Sequence, residues 1–177
     1  MRLSLFIPAL LILTSAGYAA PRQDAMPAEI TAKPAKPLGP VAPLRISYNG
    51  RAEEWTLATL AKLPHKTIQV YNEHAKATQN YSGVPLADLL TRIGIPTAPR
   101  GKEMRLYLVA QGVDGYLVTF SLAEVLPNFR SGDILVADAL EGKPIPETGP
   151  LQLVVSEDKR PARWVHSIVE IRVLTAE

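Results

Sequence analysis

The alternation of apolar and polar residues predicts that the chain from Leu44 onward is built mainly of β-strands. Residues 44–48 alternate, Asn49-Gly50 is a strong signal for a two-residue hairpin turn, and residues 53–56 supply the returning strand. In the last predicted strand, Val169, Ile171 and Val173 are expected to share one face. The strand patterns that follow the hairpin lie at residues 67–71, 104–110, 116–120, 134–137, 151–155 and 168–174.

Short helices are predicted between these strands. Residues 57–63 have helical spacing, with Thr56 as the N-cap and Pro64 as the stop. Pro85 suits the first turn of a second helix, which ends at Gly94 and has an apolar face formed by Leu86, Leu89, Leu90 and Ile93. A capping box at 121–124 begins a third. Because strands dominate, the predicted fold class is α+β: mostly β, with mixed sheets and short helices.

The first 19 residues have the pattern of a secretory signal peptide. A positive start at Arg2 precedes an apolar run over residues 3–13, and Gly17 and Ala19 provide small side chains before the predicted cleavage. The run is too short to span a bilayer, so no membrane anchor is expected after cleavage. A core helix is the alternative interpretation, but the extreme N-terminal position favours export. We therefore expect a periplasmic or secreted protein.

Residues 20–43 are predicted to form a disordered, Pro-rich tether. This segment has few bulky apolar side chains, so it cannot offset the entropy lost on ordering. A docking ligand for a proline-recognising partner is the alternative, because Pro34-Ala-Lys-Pro37 fits the short polyproline pattern. The segment's six prolines are Pro21, Pro27, Pro34, Pro37, Pro40 and Pro43.

Residues 44–177 are long enough for one domain with a sizeable core. They contain 15 Lys and Arg residues and 15 Asp and Glu residues, since four of the 19 basic and two of the 17 acidic residues precede Leu44. This balance gives no support for nucleic-acid binding. The chain contains no cysteine, so disulfides are excluded and packing alone must stabilise the domain.

The familiar catalytic and metal-binding motifs are missing. His65, His74 and His166 lie far apart, without acidic partners at metal-ligand spacing. Ser156-Glu-Asp-Lys159 matches the Ser-x-x-Lys of penicillin-recognising enzymes in spacing, but it follows a strand where those enzymes need the start of a helix. The residues therefore predict neither a catalytic group nor a metal ligand.

Several motifs, in a fixed order, carry a resemblance to a known family. The segment from Tyr81 to Leu90 reads aromatic, any residue, Gly, apolar, Pro, Leu, then Leu-Leu after two further residues. Asp114-Gly-Tyr116 and Glu141-Gly-Lys-Pro-Ile-Pro146 follow, then Gly149-Pro-Leu151 and finally Trp164-Val165. These motifs resemble the molybdopterin-binding domain of the sulfite oxidase family, and the resemblance covers most of residues 44–177.

The resemblance implies a molybdopterin cofactor whose metal is bound by a protein cysteine. Family spacing places that cysteine at or near Tyr71, but this chain has none. A phenol is a poor replacement for a soft thiolate, because it must first lose a proton with a pKa near ~10. No bound cofactor is therefore expected. If one is held without a thiolate, the positions implied by resemblance are Tyr71, Asn72, His74, Tyr81, Asp114, Tyr116, Arg160, Arg163 and Trp164.

A local cluster of Lys159, Arg160 and Arg163 has two interpretations. It provides cations for the pyrophosphate of the pterin, or it consists of solvated charges beside a turn. Glu157 and Asp158 lie directly alongside and favour the second interpretation. In addition, the family usually has arginine where this chain has Gln152.

Three functions follow from these features. The expected function is an exported domain of the sulfite oxidase type, without molybdenum redox catalysis, that binds a small ligand or a periplasmic protein. The alternative is a molybdopterin-dependent oxidoreductase that holds its cofactor without a cysteine. A third interpretation is a tethered interaction module without a pocket, which a side-chain-filled groove near Tyr71 and Trp164 would favour.

A signal with the single Arg2 also suggests Sec export of an unfolded chain, which cannot carry a preinserted cofactor.

Overall fold

The computed structural model describes residues 42–146 and 149–177. The predicted signal peptide lies outside these residues, as does the predicted tether except for Ala42 and Pro43. The described chain consists of two β-sheets and short helices, which confirms the predicted class of a mostly β, α+β domain. None of the helices in the described ranges is long and apolar enough to cross a membrane.

The first sheet brings strands from both ends of the domain together. Its members are β1 (Leu44–Tyr48), β2 (Arg51–Trp55), β5 (Leu106–Gly112), β6 (Leu117–Ser121) and β11 (Ile168–Thr175). They lie in the order β2-β1-β11-β5-β6, and the β1–β11 pair is parallel while the other neighbours are antiparallel. The predicted first hairpin is confirmed, with Asn49 and Gly50 at the positive φ values of 47° and 77° that its turn requires.

The second sheet is antiparallel throughout its described strands. It contains β3 (Lys66–Asn72), β4 (Ala77–Pro85), β7 (Ile134–Leu140), β8 (Lys143–Pro144), β9 (Gln152–Val155) and β10 (Val165–His166). The order is β10-β9-β7-β4-β3, and β8 pairs with β7. All four residues of β9 and the first four of β7 are buried, so both faces of this part of the sheet are covered.

The helices are brief and begin where the sequence predicts. They are α1 (Leu57–Leu60), α2 (Leu86–Arg92) and α3 (Leu122–Val125), with 3-10 helices at Gly101–Arg105 and Pro161–Arg163. Thr56 and Ser121 each form a capping box. Gly94, at φ 93°, follows α2 in the conformation expected of a helix-ending glycine. Helices and sheets together bury one continuous apolar core.

Four sequence predictions need correction. Helix α1 ends at Leu60 rather than at 63, and β5 begins at Leu106 because residues 104–105 belong to a 3-10 helix. Val169 lies at a register shift in β11, so the strongly buried face there is formed by Ile171 and Val173 without it. Strand β4 was not predicted, because Gln79, Asn80, Ser82 and Gly83 obscure its alternation.

His65 couples the stability of the domain to pH. Its Nε2 lies 2.9 Å from Oδ2 of Asp138 and its Nδ1 lies 2.8 Å from the Leu63 carbonyl oxygen. The hydrogen bond with Asp138 is the main cause of a raised pKa of His65, which outweighs desolvation. A raised folded-state pKa stabilises the fold fully below the unfolded value near 6.5, and this contribution is lost as pH rises through the folded pKa.

We therefore expect His65→Gln to lower the free energy of unfolding more at pH 6 than at pH 8.5. The difference should be about 1 kcal/mol or less, because both partners are partly exposed. Urea unfolding at the two pH values measures it. In an Asp138→Asn background the same substitution should show a smaller pH dependence, because only the hydrogen bond with the Leu63 carbonyl then raises the pKa of His65. An undiminished dependence there would contradict the role of Asp138.

Candidate functional site

A cleft of about 280 Å³ opens where turns from both sheets converge. The end of β3, the turn between β5 and β6, and the segment leading into β10 each contribute one wall. The groove near Trp164 is therefore open, which argues against the interaction module without a pocket. The residues that line it are Asn72, His74, Asp114, Tyr116, Pro161, Ala162, Trp164 and His166.

Hydrogen bonds fix the β5–β6 turn against the opposite wall. The Tyr116 hydroxyl donates to the Ala162 carbonyl oxygen at 2.5 Å, although the Tyr116 side chain is about half exposed. Asp114 Oδ1 accepts from the backbone N–H of Tyr116 at 3.0 Å, which closes the turn locally. The other carboxylate oxygen of Asp114 makes no hydrogen bond with another described residue. Two of the predicted site residues thus shape the cleft, and Asp114 retains an oxygen for recognition.

Trp164 and Tyr81 form the rigid support behind the cleft. Their rings meet edge to face with centroids 5.4 Å apart, and the Trp164 indole N–H donates to the Val155 carbonyl oxygen at 3.1 Å. The Tyr81 hydroxyl is buried, donates to Gln79 and accepts from Asn72 Nδ2 at 3.3 Å. Desolvation raises the pKa of Tyr81, against the lowering effect of Asn72, so the phenol stays neutral. Tyr81 supports the site from behind rather than lining it.

The resemblance implies a metal ligand at or near Tyr71. Tyr71 and its neighbour Asn72 have different environments. Tyr71 is 58% exposed and does not line the cleft, whereas the next residue, Asn72, does. Successive residues of a strand point to opposite faces, which explains the difference. Asn72 Oδ1 accepts from the backbone N–H of His74 at 3.0 Å and its Nδ2 donates to Gln79 at 2.9 Å, so its amide holds the turn.

Arg163, predicted from resemblance, has its guanidinium engaged by carboxylates. Its Nε and one terminal nitrogen donate to the two oxygens of Asp158 at 2.8 and 2.6 Å, and the other terminal nitrogen donates to Glu124 at 2.7 Å. The guanidinium carbon also lies 4.8 Å from the centre of the Phe120 ring. These contacts, led by the hydrogen bond to Asp158, raise the pKa of Arg163. Arg160 is exposed and has no ion pair with another described residue.

We expect Arg163→Met to reduce the free energy of unfolding by about 2 kcal/mol at pH 7, because Asp158 would keep a poorly solvated charge without its partner. Burial tends to raise the pKa of Glu124, but hydrogen bonds from Arg163 and Ser121 lower it overall. That contribution is present above the unfolded pKa and lost as pH falls through the folded one, so the effect should shrink toward pH 4.

Denaturant unfolding of the wild-type protein and of Arg163→Met, at pH 7 and at pH 4, tests this expectation. Lys159→Met is the matched control, since Lys159 is exposed and has no ion pair with another described residue. Equal losses in the two variants would contradict a structural role for Arg163.

His166 is a site residue that the sequence prediction did not include. It lies two residues after Trp164, so strand alternation at 164–166 was the signal that could have placed both on the cleft side. The rings of His74 and His166 make no hydrogen bond with any described residue. Together with Asp114 they are the groups available for recognition. Within the described ranges, no group of three His, Asp or Glu side chains is close enough to hold a metal ion.

A family model described as the oxidoreductase molybdopterin binding domain matches residues 43–177. This match spans more than half of the chain. The chain belongs to the oxidoreductase molybdopterin binding domain family. Among curated protein sequences, none matches it significantly. The family membership predicted from the motifs between Tyr81 and Trp164 is therefore confirmed.

The residues of this family member do not fit a molybdenum-bearing molybdopterin. No cysteine exists anywhere in the chain to supply a thiolate, and Asn72 faces the cleft at the expected place. Asp114 is the one carboxylate among the described lining residues, which include no Lys or Arg, so the lining disfavours an anionic pyrophosphate. Arg163 is already bound by two carboxylates. The described lining therefore provides neither the thiolate nor an unpaired cation for that cofactor.

Gln152, at a position where the resemblance implies an arginine, is buried in the second sheet. The residue is 4% exposed, and its Nε2 has no hydrogen-bond partner among the described residues. Gln152 pairs with His166 across β9 and β10, so both side chains leave the sheet on the same face. If the resemblance holds at this position, a neutral amide replaces a cation here, which again disfavours an anionic cofactor.

Proposed function

We propose that this family member is an exported protein that uses the cleft to bind a small polar ligand and performs no molybdenum redox catalysis. The observation that carries the proposal is an open cleft at the expected site whose lining offers imidazole and carboxylate groups in place of a thiolate. Export rests on the signal-peptide pattern of residues 1–19.

The shape and chemistry of the cleft support ligand binding. Its volume of about 280 Å³ lies just below the usual range for small-molecule sites, roughly 300–1,000 Å³, so the ligand should be small. Trp164 and Tyr116 provide aromatic walls, while His74, His166 and Asp114 provide hydrogen-bonding groups. Among the described residues of the lining, Asp114 is the only carboxylate, and none is Lys or Arg. The ligand should therefore be neutral or positively charged.

Metal and pterin content tests the redox part of the proposal. The protein is purified from the periplasm of a bacterial host that synthesises molybdopterin, and molybdenum is measured by mass spectrometry. Pterin is measured by fluorescence after oxidative release. We expect neither at a stoichiometric level. One molybdenum and one pterin per chain would overturn the proposal and establish a cofactor held without cysteine.

Native mass spectrometry tests the binding part. The protein is incubated with the small-molecule fraction of a periplasmic extract and examined for a retained adduct. Ala162→Trp should abolish the adduct, because Ala162 is exposed on the lining and a bulky side chain there occupies the cleft. Ala162→Ser is the matched control and should keep it. An adduct that survives in the tryptophan variant would contradict binding in the cleft.

Membership of the family favours one second candidate, a molybdopterin-dependent oxidoreductase with non-thiolate contacts from Asn72, His74 and the 160–164 segment. It predicts the opposite result of the metal and pterin assay. Since the anion-binding arginine is neutralised by Asp158 and Glu124, we rank this candidate second.

A further inference from the structure

A second concave surface, formed by strands β1, β2 and β11, gathers arginines at the far end of β11 from the cleft. It has a volume of about 290 Å³, and we call it the arginine groove after Arg45, Arg51 and Arg172, which line it with Ser47 and the Asn49-Gly50 turn. The groove and the cleft share no lining residue, so the two sites are distinct. The groove is independent of the ligand proposed for the cleft.

The strand register places the central groups of the groove on one face. Ser47 pairs with Arg172 across the parallel β1–β11 ladder, and Arg45 lies two residues before Ser47 on β1. Residues two apart on a strand share a face, so two guanidinium groups flank one hydroxyl. Arg51 comes from the other side of the hairpin turn. The strand pairing, rather than the conformation of any one side chain, brings these groups together.

The positive charge of the groove is only partly neutralised. Glu170 is shared between two arginines, with Oε1 at 4.0 Å from Arg45 Nε and Oε2 at 3.8 Å from Arg172 Nε. Both distances exceed the range of an N–H···O hydrogen bond. Arg51 forms no ion pair with another described residue. Glu54 is opposite Arg45 in the β1–β2 register, yet lies outside ion-pair distance of it.

One donor in the groove lacks an acceptor. Arg172 Nε is buried and has no hydrogen-bond partner among the described residues, although the side chain as a whole is 43% exposed. Buried donors in native proteins nearly always have an acceptor. A guanidinium presents its donors in a planar fork that matches the oxygens of a phosphate or sulfate. Since Nε itself is buried, the exposed part of the Arg172 side chain and the Ser47 hydroxyl are the groups that would donate to an oxyanion in the groove.

We propose that the arginine groove is a binding site for a phosphate-type oxyanion, held by Arg45 and Arg172 over the Ser47 hydroxyl. The ion is either free phosphate or sulfate, or the phosphate of a lipid headgroup.

Titration with inorganic phosphate, followed by ¹H–¹⁵N correlation spectra at constant ionic strength, tests the site. We expect saturable shifts of the Ser47 and Gly50 amides and of the Arg172 Nε–H signal. Arg172→Gln and Arg45→Gln should each weaken binding about tenfold, which corresponds to the loss of one charge-assisted hydrogen bond. Each variant is used only if its spectrum shows the dispersion of the folded domain, and the two arginines provide independent tests.

Lys102→Gln is the charge-matched control, because Lys102 is exposed and does not line the groove. It should leave phosphate binding unchanged, and so should Ala162→Trp in the cleft. Shifts that never saturate, or that are equal in Arg172→Gln and the wild type, would overturn the proposal. Flotation with phosphatidylglycerol vesicles separates the two sources: phosphate-sensitive vesicle binding indicates a lipid headgroup, and phosphate binding without flotation indicates a free anion.

Discussion

Gly83→Ala is expected to lower the free energy of unfolding by about 3 kcal/mol or more, a large loss for the addition of a single methyl group. A Cβ at this position would lie 2.2 Å from the Val136 carbonyl oxygen and 2.4 Å from the Ala137 Cα. These are backbone atoms of the neighbouring strand, so no side-chain rotation relieves the contact. The register of β4 and β7 shifts between Ser82 and Gly83, which explains the close approach.

Gly132→Ala is the matched control for that experiment. A Cβ at Gly132 would also be crowded, at 2.3 Å, but the nearest atom belongs to the side chain of Glu157, which can move. We therefore expect a loss of about 1 kcal/mol or less for Gly132→Ala. Chemical denaturation of both variants gives the comparison. Similar losses would show that the β4–β7 contact relaxes more easily than its geometry indicates.

Trp164→Ala should produce the second large effect, a loss of about 3–5 kcal/mol on unfolding. The side chain is 4% exposed, so its removal leaves a cavity beside Tyr81. It also leaves the Val155 carbonyl oxygen without its indole donor. Because Trp164 forms a wall of the cleft, the same substitution should weaken any adduct detected there. Urea unfolding and native mass spectrometry measure the two consequences.

Trp164→Phe separates the ring from the indole N–H. Phenylalanine retains an aromatic contact with Tyr81 but donates no hydrogen bond to Val155, so a loss of about 1–2 kcal/mol is expected. If the phenylalanine and alanine variants were equally unstable, the N–H donor rather than ring packing would account for the contribution of Trp164.

Local signals in the sequence were sufficient to predict the hairpin at Asn49-Gly50 and the helix starts capped by Thr56 and Ser121. Each depends on a few adjacent residues whose chemistry strongly favours one backbone geometry. Strand β4 lacked such a signal. Its middle is polar, and it is stabilised by ladders to β3, which precedes it across a short turn, and to β7, which is distant in sequence. Tertiary pairing determined what local propensity did not.

The candidate site was predicted to the level of segments rather than side chains. Resemblance placed Asn72, His74, Asp114, Tyr116 and Trp164 together, and the structure gathers all five around one cleft. Tyr71 and Asn72 could not be distinguished by counting residues, because a one-residue offset reverses the face of a strand. The carboxylate partners of Arg163 were likewise hidden, since Glu124 is 39 residues away in sequence.

The parallel pairing of β1 with β11 has a consequence for the order in which this chain acquires structure. Arg45 pairs with Glu170, and β11 also separates β1 from β5. The first sheet therefore cannot close until more than a hundred further residues have been synthesised after its first strand. Such distant contacts slow folding, because the entropy of loop closure is lost before they form. We expect a nascent chain of this topology to close its first sheet late, a kinetic property that would suit the proposed export.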